Sequence, residues 1–275
     1  MFEVIGYSVR KSWNIKALIA FVALMSVWWA TIYYRGLVEG TENDTFTLVY
    51  ALLPLWGGII GLVTAKRWGG IKSVLGKSLI MFSLGLLGQF FGQALYSYYI
   101  YILGIDDPYP SIGDIGFFST GFFYIYGLVL LARAVGIKFS LQGIWKKAQA
   151  FIIPLVILAT SYNLFLSGYS FEDASLINVI LDFGYPIVNA VYVSIAILVF
   201  LLSRKTLGGI MRGPLLILIV ALILEYVADS MFDYQINNDL WYVGGTNDFT
   251  YLLAYGLMAF SLIHIGAAFR KAMEN

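Results

Sequence analysis

The chain has no cysteine and a single histidine, His264, among its 275 residues. The absence of cysteine excludes disulfides, thiolate metal ligands, a cysteine nucleophile and covalently attached haem. One histidine cannot supply the two axial ligands of a bis-histidine haem, nor a histidine-rich metal site. The sequence therefore predicts a protein with neither a bound metal nor a cofactor.

Charged residues are scarce as well. Only 12% of the residues are charged and 60% are hydrophobic, with a mean hydropathy of +0.81. Soluble domains are roughly 25% charged, so this chain has too much apolar surface for one core in water, which excludes a soluble globular enzyme. The formal net charge is +1 and no basic segment stands apart, which excludes nucleic-acid binding.

Long apolar segments account for most of the chain and predict an all-α integral membrane protein. A helix needs about 20 mostly apolar residues to cross a bilayer. Eight segments meet this requirement: Asn14–Tyr34, Phe46–Ala65, Ser73–Leu103, Ile115–Val135, Ala148–Leu166, Leu176–Leu202, Pro214–Tyr234 and Phe249–Phe269. The alternating ten-residue segments of a membrane β-barrel do not occur. We therefore expect eight transmembrane helices in a single transmembrane domain over residues 1–275.

The basic residues predict the orientation. Of the 17 lysines and arginines, all except Arg35 fall at the two termini or near the connections after the second, fourth and sixth segments. By the positive-inside rule this side is cytoplasmic, so both termini are expected in the cytoplasm of a multi-pass cell-membrane protein. On the other side, Asn43-Asp44-Thr45 forms an N-glycosylation sequon.

The second to fourth segments resemble the sixth to eighth in the order of their special residues. The matched features are Pro54 and Pro186, Gly69-Gly70 and Gly208-Gly209, Gln89-Gln93 and Glu225-Asp229, and Asp114 and Asp248. Both sets are expected to begin outside and end inside. This order predicts two parallel four-helix repeats, about 14–135 and 148–269, related by an axis along the membrane normal. The alternative is that no duplication occurred and the two sets match because membrane helices resemble one another in general.

A further pattern resembles a known family. Pro108-Tyr109-Pro110-Ser111-Ile112-Gly113-Asp114 is similar to the P-x-P-S-x-x-D signature of a multi-span membrane module in bacterial signalling proteins, where it precedes GGDEF or EAL output domains. Gly184-Tyr185-Pro186 and Ala228-Asp229 resemble its later helices, and the similarity covers about residues 50–264. The resemblance implies this fold and a ligand-sensing role. It does not imply cyclic-di-GMP chemistry, because the chain shows no output domain.

Three acidic residues recur every four positions in the seventh segment. Glu225, Asp229 and Asp233 therefore share one helix face, with Glu225 near the midplane of the membrane. In one interpretation they form an acidic ladder that accepts protons or cations from the outer surface. In the other, Glu225 and Asp229 are hydrogen-bonded to Ser, Tyr or Gln on neighbouring helices and fix the packing, while Asp233 is solvated.

Other carboxylates are expected in the same outer layer. Asp182 lies one turn before Pro186, and Asp114 and Asp248 open the fourth and eighth helices, where a carboxylate can cap free N–H groups. The alternative to capping is that Asp114 and Asp248 form a pseudo-symmetric pair, which flanks an outward-facing pocket together with Asp229. The predicted pocket comprises Gln89, Gln93, Tyr96, Asp114, Asp182, Tyr185, Glu225, Asp229 and Asp248.

These features predict a non-enzymatic protein with no catalytic residues. We expect a ligand-binding or sensing module, or a subunit of a larger complex, with a membrane or cytoplasmic partner protein and a small-molecule or lipid ligand in the bilayer. Tyrosine and tryptophan rings near carboxylates suit an organic cation. The alternative is a proton- or cation-coupled small-molecule transporter that uses the intramembrane carboxylates.

Overall fold

The structure, a computed structural model, describes residues 6, 9–105, 108–136, 144–163, 175–203 and 212–274. Within these residues the regular secondary structure is helical and no strand occurs. The helices are α1 (Trp13–Tyr34), α2 (Thr41–Tyr50), α3 (Leu52–Arg67), α4 (Val74–Tyr101), α5 (Gly113–Ala134), α6 (Ile144–Ser161), α7 (Leu176–Ser203), α8 (Arg212–Asn237) and α9 (Thr246–Glu274). A 3₁₀ turn, Gly70–Lys72, connects α3 to α4. The all-α prediction is confirmed for the described chain.

Seven stretches of the described chain are long and apolar enough to cross a membrane. They are Trp13–Tyr34, Thr41–Arg67, Val74–Tyr101, Gly113–Ala134, Leu176–Leu202, Arg212–Asn237 and Thr246–Ala268. Each coincides with one of the expected segments, and α2 with α3 makes up the second. The expected fifth segment overlaps α6, whose apolar part Phe151–Ser161 is shorter than a span, and residues 164–166 lie outside the described chain. An eighth span stays a prediction.

Six of the helices form a closed ring, which we call the six-helix ring. Around it, α3 packs on α4, α4 on α5, α5 on α7, α7 on α8, α8 on α9, and α9 returns to α3. Outside the ring, α1 packs on α9 and α6 packs on α7. The ring thus places one face of each of its helices toward a shared interior.

Small residues allow α4 and α5 to approach closely. A Cβ atom built on Gly116 would lie 2.5 Å from the Gly88 carbonyl oxygen, and one on Gly85 would lie 2.2 Å from the Tyr124 ring. The Thr120 hydroxyl donates to the Gly85 carbonyl across the same interface at 3.0 Å. Membrane helices associate mainly by such close packing, because lipid gives them no hydrophobic drive to do so.

The helices alternate in direction, so the bundle has two chemically different ends. Lys66 and Arg67 end α3, Arg133 lies in the last turn of α5, and Arg212 begins α8; we call this the basic end. The starts of α5 and α9 and the ends of α4 and α8 lie at the opposite, acidic end. Which end faces the cytoplasm stays a prediction. The second Gly-Gly turn, 208–209, lies outside the described residues.

The connections at the acidic end are tied together by Asn43, the first residue of the sequon. Its side chain is fully buried, and Nδ2 donates to the carbonyl oxygens of Leu37 at 3.0 Å and Val243 at 2.8 Å. A buried amide that is engaged in this way is not a surface acceptor for a glycan. The Asn43 side chain therefore links the α1–α2 connection to the α8–α9 connection.

Candidate functional site

Glu225 lies at the centre of the six-helix ring. It stands halfway along the 26-residue α8, about 20 Å from either end at 1.5 Å per residue, and is 1% exposed. Gln89, near the middle of α4, donates from Nε2 to Glu225 Oε1 at 2.9 Å and is itself buried. Two residues that the predicted repeats place in matching positions therefore meet each other across the ring.

Tyrosine hydroxyl groups surround this pair. The side chains that face Glu225 besides Gln89 are Tyr124 on α5, Tyr192 on α7, Tyr255 on α9 and Asp229 one turn along α8. Within the described residues, Glu225 Oε2 and the Tyr124 hydroxyl have no hydrogen-bond partner. The neighbours named here include no positively charged side chain.

Asp229 lies one turn closer to the acidic end and is half-buried. Its Oδ1 accepts from the Tyr251 hydroxyl of α9 at 2.7 Å, and its Oδ2 accepts from the Tyr192 hydroxyl of α7 at 3.3 Å. Two hydroxyl donors stabilise the ionised form of a carboxyl group. Glu225 and Asp229 are thus hydrogen-bonded to Gln and Tyr on neighbouring helices, as one of the two interpretations expects.

Asp114 has two separate roles at the start of α5. Its Oδ2 accepts from the backbone N–H of Ser111 at 2.7 Å, which satisfies a donor at the helix start. Its Oδ1 accepts from the Tyr185 hydroxyl of α7 at 2.8 Å. The carboxyl thus bonds the segment just before α5, and it also joins α5 to α7.

Asp248 repeats this arrangement at the start of α9. Its Oδ2 accepts from the Gly244 N–H at 2.6 Å, and its Oδ1 accepts from the Tyr50 hydroxyl at 2.8 Å. Both Asp114 and Asp248 are buried. In each case one carboxylate oxygen caps its own helix and the other receives a tyrosine from a different helix.

Asp182 and Asp233 extend the acidic face toward the end of the bundle. Tyr109 donates a hydrogen bond to Asp182, and Asp233 faces both Asp182 and Asp229. Asp233 is half-buried, so the expectation that it is simply solvated was wrong in that respect. We call Asp114, Asp182, Glu225, Asp229 and Asp233 the carboxyl cluster. Within the described chain, no three Asp, Glu or His residues lie close enough to hold a metal ion.

Most of the predicted pocket residues lie around the carboxyl cluster, but some lie apart. Gln89 and Tyr185 contact it directly. Tyr96 instead lies near Tyr101, which interacts with Asp44 and Asp248. Gln93 is half-buried, and in the described chain no hydrogen bond joins it to the cluster. Tyr255 faces Glu225, Asp229 and Asp248, and so lies between the two groups.

The tyrosine partners are what the sequence analysis missed. Tyr50, Tyr192 and Tyr251 each donate to a carboxyl group of another helix. Helix periodicity contained a signal for some of them. Tyr192 lies seven residues after Tyr185, and Tyr251 three residues after Asp248, spacings that place side chains on one helix face.

The half of the ring toward the basic end has a different character. No Asp or Glu occurs in the corresponding helix portions, residues 52–67, 74–88, 122–134, 193–203, 212–224 and 256–270. Its fully buried side chains include Phe82, Leu86, Leu218, Leu222, Met258 and Leu262. The layer of carboxyl groups therefore ends at the Gln89–Glu225 pair, while this half still holds buried polar side chains such as Ser83, Ser261 and His264.

An apolar groove on the outside of the bundle is separate from these carboxyls. It lies between α1 and α3 and is lined by Phe21, Leu52, Leu55, Trp56 and Ile59. Its lining is almost entirely apolar. Such a surface suits contact with lipid tails rather than with a polar ligand.

Comparison of the chain with protein-family models, curated proteins and solved structures finds no match. The composition and the seven apolar helices are those of a multi-pass helical membrane protein. The resemblance to the bacterial signalling module stays a prediction. Of its signature residues, Ser111 and Asp114 form the helix start described above.

Proposed function

We propose that this protein is a non-enzymatic ligand-binding module of the cell membrane, and that the carboxyl cluster forms an outward-facing site for a small organic cation. The observation that carries the proposal is the concentration of carboxyl groups among tyrosines at one end of the ring. Five carboxyl groups lie near one another, and the hydrogen bonds of the described residues to them come from hydroxyl, amide and backbone N–H groups. A cationic ligand would be attracted to this concentration of acidic groups.

Aromatic side chains support an organic rather than a metallic cation. Tyr185, which donates to Asp114, packs edge-on against Phe118 at a centroid distance of 5.3 Å. Aromatic faces beside carboxylates attract ammonium groups. The carboxyls are also distributed along three helices instead of converging on a point, as a metal ion would require.

The proposed orientation places the acidic end outside and both termini in the cytoplasm. The positive-inside distribution of the basic residues supports it. The six-helix ring also supports the proposed duplication, because α3, α4 and α5 are followed around it by α7, α8 and α9 in the same order. The matched tyrosine bonds of Asp114 and Asp248 add to this support.

Binding is favoured over transport because the carboxyl groups stop at the centre of the ring. The basic-end half contains buried serine, threonine and histidine side chains but no Asp or Glu in the helix portions given above, so no acidic groups continue the cluster toward the other end. We propose that occupancy of the site is passed to a partner protein in the membrane or the cytoplasm, or that the chain is a subunit of a larger membrane complex.

The second candidate is a proton- or cation-coupled transporter. It is favoured by one observation, the buried carboxyl of Glu225 at mid-helix, one turn from Asp229. Carboxylates near the bilayer midplane are typical of coupling sites in transporters.

Native mass spectrometry of the gently extracted protein, combined with thermal unfolding in tetramethylammonium chloride, tests the binding proposal. We expect a retained organic cation, and stabilisation by tetramethylammonium beyond that by sodium chloride at the same ionic strength. Asp182→Asn and Asp229→Asn should remove both effects. Glu42→Gln removes a carboxylate from the acidic end of the bundle but outside the carboxyl cluster, and should retain both effects.

Equal stabilisation by the two salts in the wild type, with no retained ligand, would contradict the organic-cation site. A pH-driven flux assay in proteoliposomes decides between the two candidates. A transporter shows flux that Asp229→Asn abolishes, whereas a binding module shows no flux in the wild type either.

A further inference from the structure

Glu225 is in an unusual place for a charged group. It is 1% exposed at the middle of a helix long enough to cross a membrane. A side chain about 20 Å from either end of such a helix cannot reach the headgroup region. Unless it is paired, a carboxyl group moved to such a site is kept neutral by taking up a proton.

Among the described residues, the groups recorded as facing Glu225 include no cation. The groups that face it are Gln89 on α4, Tyr124 on α5, Tyr192 on α7, Tyr255 on α9 and Asp229 on α8. Asp229 is the one acidic group among them. Its two oxygens accept from Tyr251 and Tyr192, so neither oxygen needs a proton to complete its hydrogen bonds. Two negative charges one helical turn apart in this setting would repel each other strongly.

The hydrogen bonds at Glu225 indicate which oxygen holds a proton. Oε1 accepts from Gln89 Nε2, so it needs no proton. Oε2 accepts from no other donor of the described chain, and the Tyr124 hydroxyl interacts with the same carboxyl group. A proton on Oε2 lets this oxygen donate to the Tyr124 hydroxyl oxygen. Donation from Tyr124 to an ionised Glu225 would join the same atoms but would leave the repulsion with Asp229 in place.

We propose that Glu225 is a proton-binding site in the membrane interior, where it holds a proton on Oε2 between Gln89 and Tyr124 while Asp229 stays ionised. The pair then has two different roles. Glu225 stores a proton at the inner limit of the polar layer, and Asp229 supplies the negative charge one turn nearer the acidic end. This inference does not depend on the identity or existence of an organic ligand.

Infrared spectroscopy of the protein in lipid nanodiscs at neutral pH tests the inference without any ligand. A protonated carboxyl group has a C=O stretching band that is separate from the carboxylate bands and shifts in D₂O. We expect the wild type minus Glu225→Gln difference spectrum to show the loss of this band. Glu42→Gln, which removes the glutamate that pairs with Arg35 outside the carboxyl cluster, is the control and should keep the band and lose carboxylate absorption instead.

A second measurement covers the case in which Glu225→Gln does not fold. Uniform ¹³C labelling of glutamate in the wild type shifts the bands of glutamate and leaves those of aspartate unchanged. A protonated-carboxyl band that moves with this label supports the proposal, because Glu225 is the glutamate buried at mid-helix. The absence of any such glutamate band, or loss of carboxylate absorption alone in Glu225→Gln, overturns it. Neither result bears on whether tetramethylammonium binds.

Discussion

Gln89 and Glu225 are 136 residues apart in the sequence, and Gln89 Nε2 lies 2.9 Å from Glu225 Oε1 inside the six-helix ring. The hydrogen bond joins α4 of the first half of the ring to α8 of the second. Both residues are buried, so the bond forms where water cannot replace it. The contact therefore holds the two halves together and also limits the depth of the polar layer.

Replacement of Gln89 by leucine should destabilise the protein. Gln89→Leu leaves Glu225 Oε1 buried without a donor, and an unpaired buried polar group costs about 1–3 kcal/mol. The free energy of unfolding, measured in mixed micelles with increasing SDS, reports the loss. The double variant Gln89→Leu/Glu225→Leu should recover much of it, because neither group is then left unpaired. A single variant as stable as the wild type would contradict a structural role for this bond.

The matched bonds of Tyr50 and Tyr185 should respond alike to loss of the hydroxyl. Tyr50→Phe and Tyr185→Phe each remove a donor to a buried aspartate, Asp248 or Asp114. Hydrogen bonds to charged groups contribute about 1.5–3 kcal/mol, so we expect a loss of this size in each. Thermal unfolding of the purified variants measures it. Tyr34→Phe is the control, since Tyr34 is 86% exposed and should show no change.

Asn43 should remain unmodified and should matter for stability. Expression in a host that glycosylates secreted asparagines should leave the mass of the protein unchanged, because Nδ2 is buried and bonded to Leu37 and Val243. Asn43→Ala should lower the free energy of unfolding by about 1–3 kcal/mol, as two carbonyl groups lose their donor. Thr45→Ala destroys the same sequon while Asn43 stays in place, and should be nearly neutral. A glycosylated wild type would show that Asn43 is accessible.

The chain's lack of cysteine makes its orientation easy to test. Single variants Lys72→Cys, at the basic end, and Asp239→Cys, in the α8–α9 connection, place one thiol at each end of the bundle. A membrane-impermeant maleimide added to intact cells should label Asp239→Cys and should label Lys72→Cys only after permeabilisation. The reverse pattern would overturn the proposed orientation and, with it, the outward-facing site.

Periodicity and charge were sufficient for much of the architecture. Seven of the eight expected segments are helices of the described chain, and Asp114 and Asp248 cap α5 and α9 as their positions before apolar runs predict. The boundaries near α2 were less accurate, since the second span begins at Thr41 instead of Phe46. The first turns of α2 consist of polar residues, so a criterion based on hydropathy placed the start of the helix too late.

The sequence did not identify the partners of the carboxyls, and it gave a misleading indication at Asn43. Tyr50 and Tyr251 looked like ordinary members of an aromatic-rich membrane protein, and both donate to buried aspartates. Asn43 matched a three-residue surface motif, whereas its burial depends on Val243, 200 residues away. Contacts of this kind depend on how distant helices are rotated and packed, which no local pattern encodes.

The sequence by itself determined that this protein is a bundle of apolar helices, because the low charge and long hydrophobic runs leave no other way to satisfy the backbone in lipid. It also determined that one face of α8 is acidic, since a spacing of four residues fixes a common side of a helix. Only the tertiary structure decided that Gln89 meets Glu225, that tyrosines hold Asp229, and that Glu225 Oε2 faces Tyr124. These pairings arise from the closure of the six-helix ring, which is a property of all its interfaces together.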